Sequence, residues 1–438
     1  MFIFFGLNLQ SSKNNRRMNI LLIGKGGREH AFAWKISKSK LCDKLFIAPG
    51  NPGTAQFGNN LDIDPTDFAG LEKVCNDERI DLIVVGPEDP LVLGITDFFK
   101  KNENIKIIGP SAKGAQLEGS KSLAKEFMLR HNIPTASYKK FTKETYAEGR
   151  DYISEHSLPV VIKADGLAAG KGVVICNNHI EALAEFDLMI NHYKFGEAGS
   201  TVVIEQFLTG IEMSVFVLTD GKNFTLLPEA KDYKKIGEGE TGPNTGGMGA
   251  ISPLPFFNAD LKNKVIQKII KPTVEGFVKE DLDYKGFIFF GLMITAENEP
   301  LLIEYNCRMG DPETEVVIPR INSDLVELLI ATANGNVSDI IVDVNSQTAA
   351  TIVAVSGGYP GIYKTGFRIS GITENSSIVF HAGTEQKNSE LFTAGGRVLA
   401  VTSFGDNAQT AVEASLQTLS HIQFEDIYYR KDIGFDLK

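Results

Sequence analysis

The hydrophobic pattern opens as an alternation of buried-type strands and helices. Four apolar runs end in turns that contain glycine or proline, and helical segments follow them: 19–23, 45–48, 81–85 and 105–108. This alternation predicts a parallel sheet whose ligand site lies in the loops at the carboxyl ends of its strands. An apolar stripe then predicts a helix over 112–131, and Pro134 marks a domain boundary.

The middle of the chain follows a different order. Residues 138–208 give a strand, a helix, a hairpin, a helix and a strand, which predicts a small, self-contained α+β unit. The segments after it are strands at 213–219, 224–229, 286–295 and 300–307, a loop at 231–249, and helices at 259–280 and about 317–333. A loop as long as 231–249 is usually functional or mobile in a compact enzyme.

The last part of the chain predicts a separate closing domain. Its β-branched strands and final helix lie at 351–355, 377–381, 397–402 and 408–421. The first 17 residues stand apart from the rest: their apolar run is shorter than the core of a signal peptide, and the basic residues follow it instead of preceding it. We expect this extension to be dispensable and disordered.

A glycine-rich hairpin is the strongest local motif. The strands 160–162 and 173–175 flank Gly166, Gly170 and Gly172, while Lys163 and Lys171 supply positive charge. Such a turn lets backbone close over a ligand and indicates a phosphate clamp. It is not a P-loop, because its glycine spacing is shorter, no Ser or Thr follows Lys171, and a strand comes next instead of a helix. A flexible hairpin with solvated lysines remains the alternative.

The turn at 24–30 presents backbone N–H groups at the start of a helix, which favours an anion. A dinucleotide fingerprint is incomplete here, because Glu29 occupies the third glycine position. The second strand also ends without the carboxylate that would bind a ribose. NAD is therefore disfavoured.

Strand periodicity places Glu304, Asn306 and Arg308 on one face, with Ile303, Tyr305 and Cys307 on the other. A carboxylate and an amide oxygen suit Mg²⁺ or Mn²⁺, which keeps its other coordination sites for water and phosphates. Arg308 beside them could hold a phosphoryl group or a carboxylate through two nitrogens. A solvated sheet face is the alternative interpretation.

Composition excludes several classes of protein. The 438 residues, 43% of them hydrophobic, predict several ordered domains, and the net charge of −11 disfavours nucleic-acid binding. The four cysteines are scattered without a Cys-x-x-Cys pair, which suits reduced thiols in the cytoplasm. No apolar run approaches about 18 residues, so no membrane span is expected.

Three long blocks, at 163–172, 241–249 and 304–315, resemble the signature blocks of one enzyme family. On these blocks the chain resembles the glycinamide ribonucleotide synthetases, or phosphoribosylamine-glycine ligases, of the ATP-grasp superfamily. The resemblance extends from Met18 to about Gly434 and includes shorter blocks at 24–30, 117–121, 356–360 and 430–434.

The resemblance implies an α/β and α+β architecture: an ATP-grasp enzyme with an N-terminal Rossmann-like domain, a mobile lid and a small, β-rich C-terminal domain. The predicted boundaries are an extension at 1–17, the Rossmann-like substrate domain at 18–120, the ATP-grasp domain at 121–336 with its lid at 138–208, and the C-terminal domain at 337–438. A monomer or weak dimer is expected.

The implied reaction converts ATP, glycine and 5-phosphoribosylamine into glycinamide ribonucleotide, ADP and phosphate through glycyl phosphate, the second step of purine synthesis. ATP is the co-substrate, with Mg²⁺ or Mn²⁺ as the cofactor. Phosphoryl transfer depends mainly on positioning and charge neutralisation, so no Ser or Cys nucleophile is needed.

The resemblance also implies roles for individual residues. The metal ligands are Glu304 and Asn306, and the catalytic group is Lys171, Arg308, Asp311 and Glu313. The implied ATP contacts are Lys125, Lys163, Gly166, Gly170, Lys171, Gly172, Glu205, Gln206, Phe207, Leu208 and Glu212. The implied contacts to glycine and phosphoribosylamine are Gly26, Gly27, Arg28, Asn51, Gly86, Pro87, Glu88, Asn244, Gly246, Gly247, Met248, Gly249, Arg308 and Asp311.

The sequence departs from the family pattern at Tyr233, where His is common, and at Met309, where Phe is frequent. The first departure leaves a proton-transfer role for residue 233 unsupported. Two alternatives remain: another ATP-grasp ligase or carboxylase with a different nucleophile, and a nucleotide-binding protein that has lost turnover.

Overall fold

A five-stranded parallel sheet forms the N-terminal domain. The computed structural model describes residues 16–167, 172–373 and 377–437. The first elements are Met18–Gly24 (β1), Gly27–Ile36 (α1), Cys42–Pro49 (β2), Asn59–Asn60 (β3), Phe68–Asp77 (α2), Leu82–Val85 (β4), Glu88–Val92 (α3), Ile95–Phe99 (α4) and Lys106–Ile108 (β5). The strand order is β3-β2-β1-β4-β5. Because β1 and β4 are neighbours, the loops that leave their carboxyl ends share one edge of the sheet.

The helix predicted over 112–131 is in fact two helices. They are Ala112–Gly119 (α5) and Lys121–Arg130 (α6). Between them Ser120 has an extended backbone, and its hydroxyl accepts the N–H of Leu123 as the N-cap of α6. A serine competes with helical hydrogen bonding in this way, and the apolar stripe does not reveal the break.

The predicted α+β unit is confirmed and is called the lid below. Its elements are Tyr138–Thr142 (β6), Tyr146–Glu155 (α7), Val160–Ala164 (β7), Val173–Cys176 (β8), His179–Ile190 (α8) and Thr201–Gln206 (β9). The antiparallel strands run in the order β6-β9-β7-β8, and their apolar sides pack against α7 and α8 as a separate small core.

A second antiparallel sheet follows the lid. The elements of this region are Ile211–Thr219 (β10), Phe224–Leu226 (β11), Lys231–Asp232 (β12), Lys235–Gly237 (β13), Thr241–Asn244 (β14), Gly249–Ser252 (β15), Ala259–Val265 (α9), Lys271–Lys279 (α10), Gly286–Ile294 (β16) and Pro300–Asn306 (β17). Four of these strands form the sheet β11-β10-β16-β17. The predicted loop 231–249 contains the hairpin β13–β14, and one π-helical turn, Ile266–Ile270, joins α9 to α10.

The remaining elements are Thr314–Arg320 (α11), Leu325–Asn334 (α12), Thr348–Val355 (β18), Arg368–Ile369 (β19), Ile378–His381 (β20), Thr384–Lys387 (β21), Glu390–Thr393 (β22), Arg397–Gly405 (β23) and Ala408–Leu419 (α13). The single helix predicted at 317–333 is therefore two, because Asp324 caps the N-terminus of α12. The short strands β19, β21 and β22 were missed.

The C-terminal sheet includes strands from outside residues 337–438. Its order is β12-β15-β18-β23-β20, so segment 231–252 supplies two of its five strands. The sheet of the predicted closing domain is therefore not built from residues 337–438 alone. Two further cores contain side chains from both the parallel sheet and the sheet of β10 and β16, which joins these parts of the chain. Among the described helices, none has the length and apolar character needed to cross a bilayer.

Candidate active site

One carboxylate at the base of the lid, that of Glu205, pairs with two lysines, one from the lid and one from α6. The predicted hairpin forms, with Lys163 opposite Val173 in the β7–β8 register. Nζ of Lys163 and Nζ of Lys125 each lie 3.0 Å from Oε2 of Glu205, and all three side chains are buried. Burial lowers the pKa of Lys125 to about 8, although Glu205 opposes that shift. The other carboxylate oxygen of Glu205 is buried without a partner, so it can accept a hydrogen bond from a ligand.

The rest of the glycine loop is only partly described. Gly166 accepts a hydrogen bond from Nζ of Lys121 (3.0 Å), and the Gly172 carbonyl accepts the N–H of Ala164 (2.8 Å). The predicted ATP contacts Gly170 and Lys171 lie outside the described residues. After β9, Gln206 is exposed, whereas Phe207 and Leu208 are half-buried in the segment that leads to β10.

The break at Ser120 connects the lid to the ATP-grasp core. Both Ser120 and Ser122 donate their hydroxyls to the carboxylate of Asp165 in the lid. An unbroken helix would direct this serine pair elsewhere. The break, which the sequence did not predict, therefore brings the start of α6 to the glycine loop.

The floor of the cleft is one face of the sheet of β10, β16 and β17. Backbone pairing sets Ser214 opposite Gly291 and Gly291 opposite Glu304, while Asn306 pairs with Phe289. Together with Glu212, Asp232 and Lys234, Glu304 lines a small polar pocket on this face. The predicted metal ligands and the predicted ribose-binding acid Glu212 therefore share one side of the sheet.

A bulge in β17 corrects one part of the sequence prediction. The partner of Leu292 is Leu302 and that of Gly291 is Glu304, so Ile303 is an extra residue. Ile303 lines the same pocket as Glu304, although simple alternation placed it on the opposite face. Tyr305 and Cys307 do point into the core, as predicted.

The donor set on this floor fits a hard cation. Among the described residues, neither Glu304 nor Asn306 has a side-chain hydrogen-bond partner, and Nδ2 of Asn306 is buried without an acceptor. The Asn306 amide is therefore free to turn its oxygen toward an ion. Within the described part of the chain, no cluster of three or more His, Cys, Asp or Glu side chains could hold a metal by itself. Water and phosphate oxygens would have to complete the coordination shell, as is usual for Mg²⁺ beside nucleotides.

Lys234 is a cation of the cleft that the sequence pattern did not predict. Its Nζ lies 3.2 Å from Oε2 of Glu212 and 3.8 Å from Oδ2 of Asp232. The carboxylate of Asp232, followed by that of Glu212, raises the pKa of Lys234, so it stays charged. Tyr233, which lies between Asp232 and Lys234 in the sequence, is buried. Its hydroxyl donates to Asp436 (2.7 Å) instead of facing the cleft.

Arg308 is engaged by protein acceptors on all three guanidinium nitrogens. Nε contacts Glu88 (3.1 Å), Nη2 contacts Glu118 (2.7 Å), and Nη1 donates to the Met309 carbonyl (3.3 Å). Burial opposes the ionisation of Glu88, but the charges of Arg308 and Arg28, together with hydrogen bonds, outweigh it and lower the pKa of Glu88 to about 2. The sequence predicts that Arg308 binds a substrate through two nitrogens. Such bidentate binding would have to displace these partners. Glu118, another missed residue, also accepts the N–H of Cys307.

The turn before α1 is held by Glu29, the residue at the third glycine position. Its carboxylate accepts the N–H of Gly26 and Nε of Arg28, both at 2.6 Å. A Cβ on Gly86 would lie only 2.1 Å from Oε1 of Glu29, so glycine at 86 makes room for this carboxylate. Arg28 also donates to the Met309 carbonyl (3.1 Å). Gly27 begins α1, and Pro87 and Glu88 begin α3 at the neighbouring loop.

Asn51 joins this turn to the C-terminal domain. Its Nδ2 donates to the carbonyls of Lys25 and His381, each at 2.8 Å. The side chain of Asn51 is buried and its amide hydrogens are already used. The structure therefore places Asn51 beside the predicted phosphoribosylamine turn as a bracing group.

The C-terminal domain forms a further wall of the cleft through Arg397. This side chain contacts the Gly246 carbonyl and Asp311, and the Gly246 N–H donates to the hydroxyl of Tyr359 (3.0 Å). A Cβ on Gly247 would meet the ring of Pro312 at 2.3 Å, so this loop packs tightly against segment 311–313. Asn244 is exposed on β14, whereas Met248 and Gly249 are buried, and the Met248 side chain lies in the C-terminal core.

Glu313 lies beneath this wall. Its Oε1 accepts a hydrogen bond from Ser214 (3.3 Å), and its side chain is 3% exposed. Burial, reinforced by the charge of Asp232, raises the pKa of Glu313 to about 7. Glu315 is fully buried with both carboxylate oxygens unpartnered, and burial raises its pKa.

These elements meet in one cleft. Oδ2 of Asp311 lies 3.2 Å from the Cβ position of Gly26, which joins the floor to the N-terminal turn. At the lid, Glu304 and Lys163 act electrostatically on the same lysine, Lys121. A lysine-bearing lid over a sheet with a carboxylate and amide edge defines an ATP-grasp enzyme.

Comparisons with known proteins identify the family within that class. Three family models match in chain order: phosphoribosylglycinamide synthetase N domain at 18–118, ATP-grasp (A) domain at 119–314, and C domain at 349–436. The chain belongs to the phosphoribosylglycinamide synthetase family. The family resemblance and the fold class predicted from the sequence are confirmed.

Individual relatives agree with this assignment. The phosphoribosylamine-glycine ligase of Haemophilus influenzae is 45% identical over 95% of this chain and 98% of its own length. A crystal structure of the phosphoribosylamine-glycine ligase of Thermotoga maritima has a TM-score of 0.84 at 34% identity, covering 94% of this chain and 99% of that one. The biotin carboxylase domain of Hydrogenobacter thermophilus 2-oxoglutarate carboxylase shares the fold at 17% identity, with a TM-score of 0.73 over 94% of this chain and 92% of that one.

Proposed function

We propose that this enzyme uses ATP to join glycine to 5-phosphoribosylamine, giving glycinamide ribonucleotide, ADP and phosphate. The observation that carries the proposal is the convergence of three parts of the cleft: the lysine pair on Glu205, the edge formed by Glu304 and Asn306, and the turn at Gly26. Such an arrangement lets a nucleotide and an amine approach one acyl group from different sides.

The proposed chemistry has two steps. A carboxylate oxygen of glycine attacks the γ-phosphorus of ATP, and the bond from that phosphorus to the bridging oxygen of ADP breaks. The neutral amine of phosphoribosylamine then attacks the carbonyl carbon of glycyl phosphate, phosphate leaves, and the amine loses a proton. Both steps depend on positioning and charge neutralisation.

ATP is assigned to the side of the cleft that faces the lid. Lys163 and Lys125 supply positive charge there, and the unpartnered Oε1 of Glu205 can accept a donor from the nucleotide. Mg²⁺ or Mn²⁺ is assigned to Glu304 and Asn306, where it would offset phosphate charge when bound. Glu212 remains the proposed ribose acceptor, and Lys171 remains a predicted phosphate contact.

Glycine and phosphoribosylamine are assigned to the opposite side. Asp311, the loop Gly246–Gly247 and Glu313 surround the position proposed for glycine, and the turn Gly26–Arg28 faces the proposed amine substrate. With its pKa raised to about 7, Glu313 can exist in either protonation state near neutral pH. We further propose a cytoplasmic monomer or weak dimer; the four free cysteines support a reducing compartment.

One assay tests the proposed function. ADP release is measured with ATP, glycine and phosphoribosylamine together, and then with each omitted in turn. The expected result is ADP release only in the complete mixture, together with glycinamide ribonucleotide. Release with bicarbonate in place of glycine would instead identify a carboxylase, and ATP binding without any release would identify a non-catalytic protein.

A further inference from the structure

Arg397, the first residue of β23, links two segments of the cleft wall by hydrogen bonds. Its Nη1 donates to the carbonyl oxygens of Gly246 and Asp311, each at 2.7 Å, and lies 3.0 Å from Oδ1 of Asp311. The three acceptors belong to segments that are 65 residues apart in sequence but adjacent in the cleft. Among the described residues, a single nitrogen of the guanidinium therefore makes all of its hydrogen bonds and ion pairs.

The opposite edge of the same guanidinium is open. Among the described residues, Nε and Nη2 of Arg397 have no hydrogen-bond acceptor, and neither atom is buried without a partner. The side chain is 22% exposed, so this edge can be reached from solvent. Nε and Nη2 carry two parallel N–H groups, the pair with which arginine binds carboxylate and phosphate.

In the other two arginines described in the cleft, Nε is already paired with a carboxylate. In Arg308, Glu88 takes Nε and Glu118 takes Nη2. In Arg28, which is 7% exposed, Glu29 takes Nε. Of these three guanidiniums, the one in the C-terminal domain is the one whose Nε and Nη2 can together bind an anion without first breaking an ion pair.

Glycine at position 246 keeps this edge accessible. A Cβ there would lie 3.1 Å from Cζ and 3.2 Å from Nε of Arg397, so a side chain would crowd the guanidinium. The carboxylate of Asp311, which pairs with Nη1, also approaches the turn at Gly26. The open edge of Arg397 therefore lies near the positions proposed for glycine and phosphoribosylamine.

We propose that Nε and Nη2 of Arg397 bind a pair of anionic oxygens on a substrate. This inference rests on the proposed function, which supplies two candidates with the same chemistry: the carboxylate of glycine and the phosphate of phosphoribosylamine. Arg397 is then a substrate-binding residue that the C-terminal domain contributes, and Arg308 is a structural link between Glu88 and Glu118.

Kinetics of Arg397→Lys test the proposal and distinguish the two anions. Lysine keeps a positive charge that can reach the Gly246 carbonyl but lacks the parallel donor pair. The KM for one substrate is expected to rise about 10- to 100-fold, the range for losing a charge-assisted hydrogen bond, while the KM for ATP stays within about twofold. An increase confined to glycine identifies its carboxylate, and one confined to phosphoribosylamine identifies its phosphate.

Tyr359→Phe is the matched control. It removes the acceptor for the Gly246 N–H and so disturbs the same loop, but it leaves the guanidinium intact. The substrate-specific change in KM should be absent from this variant. If Arg397→Lys and Tyr359→Phe change the same constants equally, Arg397 only braces the loop and the proposal is overturned; unchanged KM values for both substrates in Arg397→Lys overturn it as well.

A binding measurement separates this inference from the proposed function. Absence of turnover by the unaltered enzyme in the complete assay would reject the function alone. Calorimetric titration of the unaltered and Arg397→Lys proteins with glycine and with inorganic phosphate needs no turnover. Weaker binding of one of these two ligands to the variant supports the inference. If each ligand binds equally well to the variant and to the unaltered protein, the inference is rejected.

Discussion

Asp165 in the lid accepts hydrogen bonds from both the backbone N–H and the hydroxyl of Ser122, at 2.9 Å and 2.7 Å, in the first turn of α6. Ser120 donates to the same carboxylate at 3.0 Å. The glycine loop that begins at Gly166 is therefore tethered to the ATP-grasp core at its first residues. Any movement of the lid away from the core would have to break this group of hydrogen bonds or carry the start of α6 along with it.

Asp165→Asn should loosen the lid. The amide keeps one acceptor oxygen but replaces the other with a donor, so one serine hydroxyl can no longer donate at that position, and the charge that strengthens these hydrogen bonds is removed. The KM for ATP is expected to rise about three- to tenfold, as for the loss of one modest hydrogen bond. Hydrogen exchange should increase in β7 and β8. Asp187→Asn in α8 is the control, because this carboxylate accepts a hydrogen bond from Tyr146 within the lid. Equal effects of the two substitutions would contradict a specific tether.

Glu304→Ala should abolish turnover and leave the fold intact. It removes the charged member of the predicted metal pair, and turnover is expected to fall at least about a hundredfold. Glu297→Ala, in the exposed turn before β17, is the control. Mn²⁺ with ADP is expected to raise the melting temperature of the unaltered protein and of Glu297→Ala, but not that of Glu304→Ala. Near-normal activity of Glu304→Ala would reject its assignment as a metal ligand.

Arg430→Ala should destabilise the C-terminal domain. The fully buried guanidinium pairs with Glu240 (2.6 Å) and Asp432 (2.8 Å) and donates to the Lys235 carbonyl (3.0 Å). Because both carboxylates are partly exposed, the expected loss in the free energy of unfolding is about 2–3 kcal/mol, below that for a fully buried pair. Fluorescence of Trp34, which packs against Phe380, can follow urea unfolding.

Arg368→Ala provides the comparison for Arg430. Arg368 pairs with Glu390 at 2.9 Å, but both side chains are largely exposed. Its removal should change stability by less than about 1 kcal/mol. Equal losses in the two variants would show that burial of Arg430 does not make its ion pairs more important.

Glu313 should make stability depend on pH. Its pKa is raised to about 7 in the folded protein, so the folded state binds its proton more tightly than the unfolded state. The corresponding stability is fully present below the ordinary carboxyl pKa of about 4.3 and is lost as pH rises to about 7. Urea unfolding is measured without nucleotide or metal. Between pH 5 and about 8, the free energy of unfolding should therefore fall less in Glu313→Gln than in the unaltered protein.

The expected difference for Glu313→Gln is of the order of 2 kcal/mol at the alkaline end. Glu413→Gln, on the exposed side of α13, should keep the original pH dependence. Parallel stability curves for the unaltered protein and Glu313→Gln would show that this carboxyl group does not hold its proton in the folded state.

Deletion of residues 1–17 should change neither solubility nor turnover. Of the residues described in this extension, Arg16 and Arg17 form exposed pairs with Asp81 (3.1 Å) and Asp43 (3.7 Å). Such pairs contribute up to about 1 kcal/mol each. A large loss of activity or solubility in the truncated protein would show that the extension has a structural role.

Local patterns predicted much of this structure. The hairpin β7–β8, the paired positions of Glu304 and Asn306, and the parallel N-terminal strands each follow from a short stretch of sequence. Glycine spacing and strand periodicity are properties of neighbouring residues, so they can be recognised without knowing the tertiary structure.

The missed features depend on distant partners. The extended backbone of Ser120 is coupled to Asp165, and the engagement of Arg308 requires Glu88, which lies 220 residues earlier. The bulge at Ile303 becomes visible only through the register of β16. Arg397 stands at the start of a strand after two glycines, and nothing in that local pattern shows that it meets Gly246 and Asp311.

The shared C-terminal sheet also has a consequence for biosynthesis on the ribosome. Strand β15 leaves the exit tunnel well before its neighbour β18, and β23 emerges later still. The loop that precedes β15 therefore cannot take its final position until nearly the whole polypeptide has been made. Nascent chains stalled short of Arg397 would contain the lid and the floor of the cleft but would lack the wall that the C-terminal domain forms through Arg397.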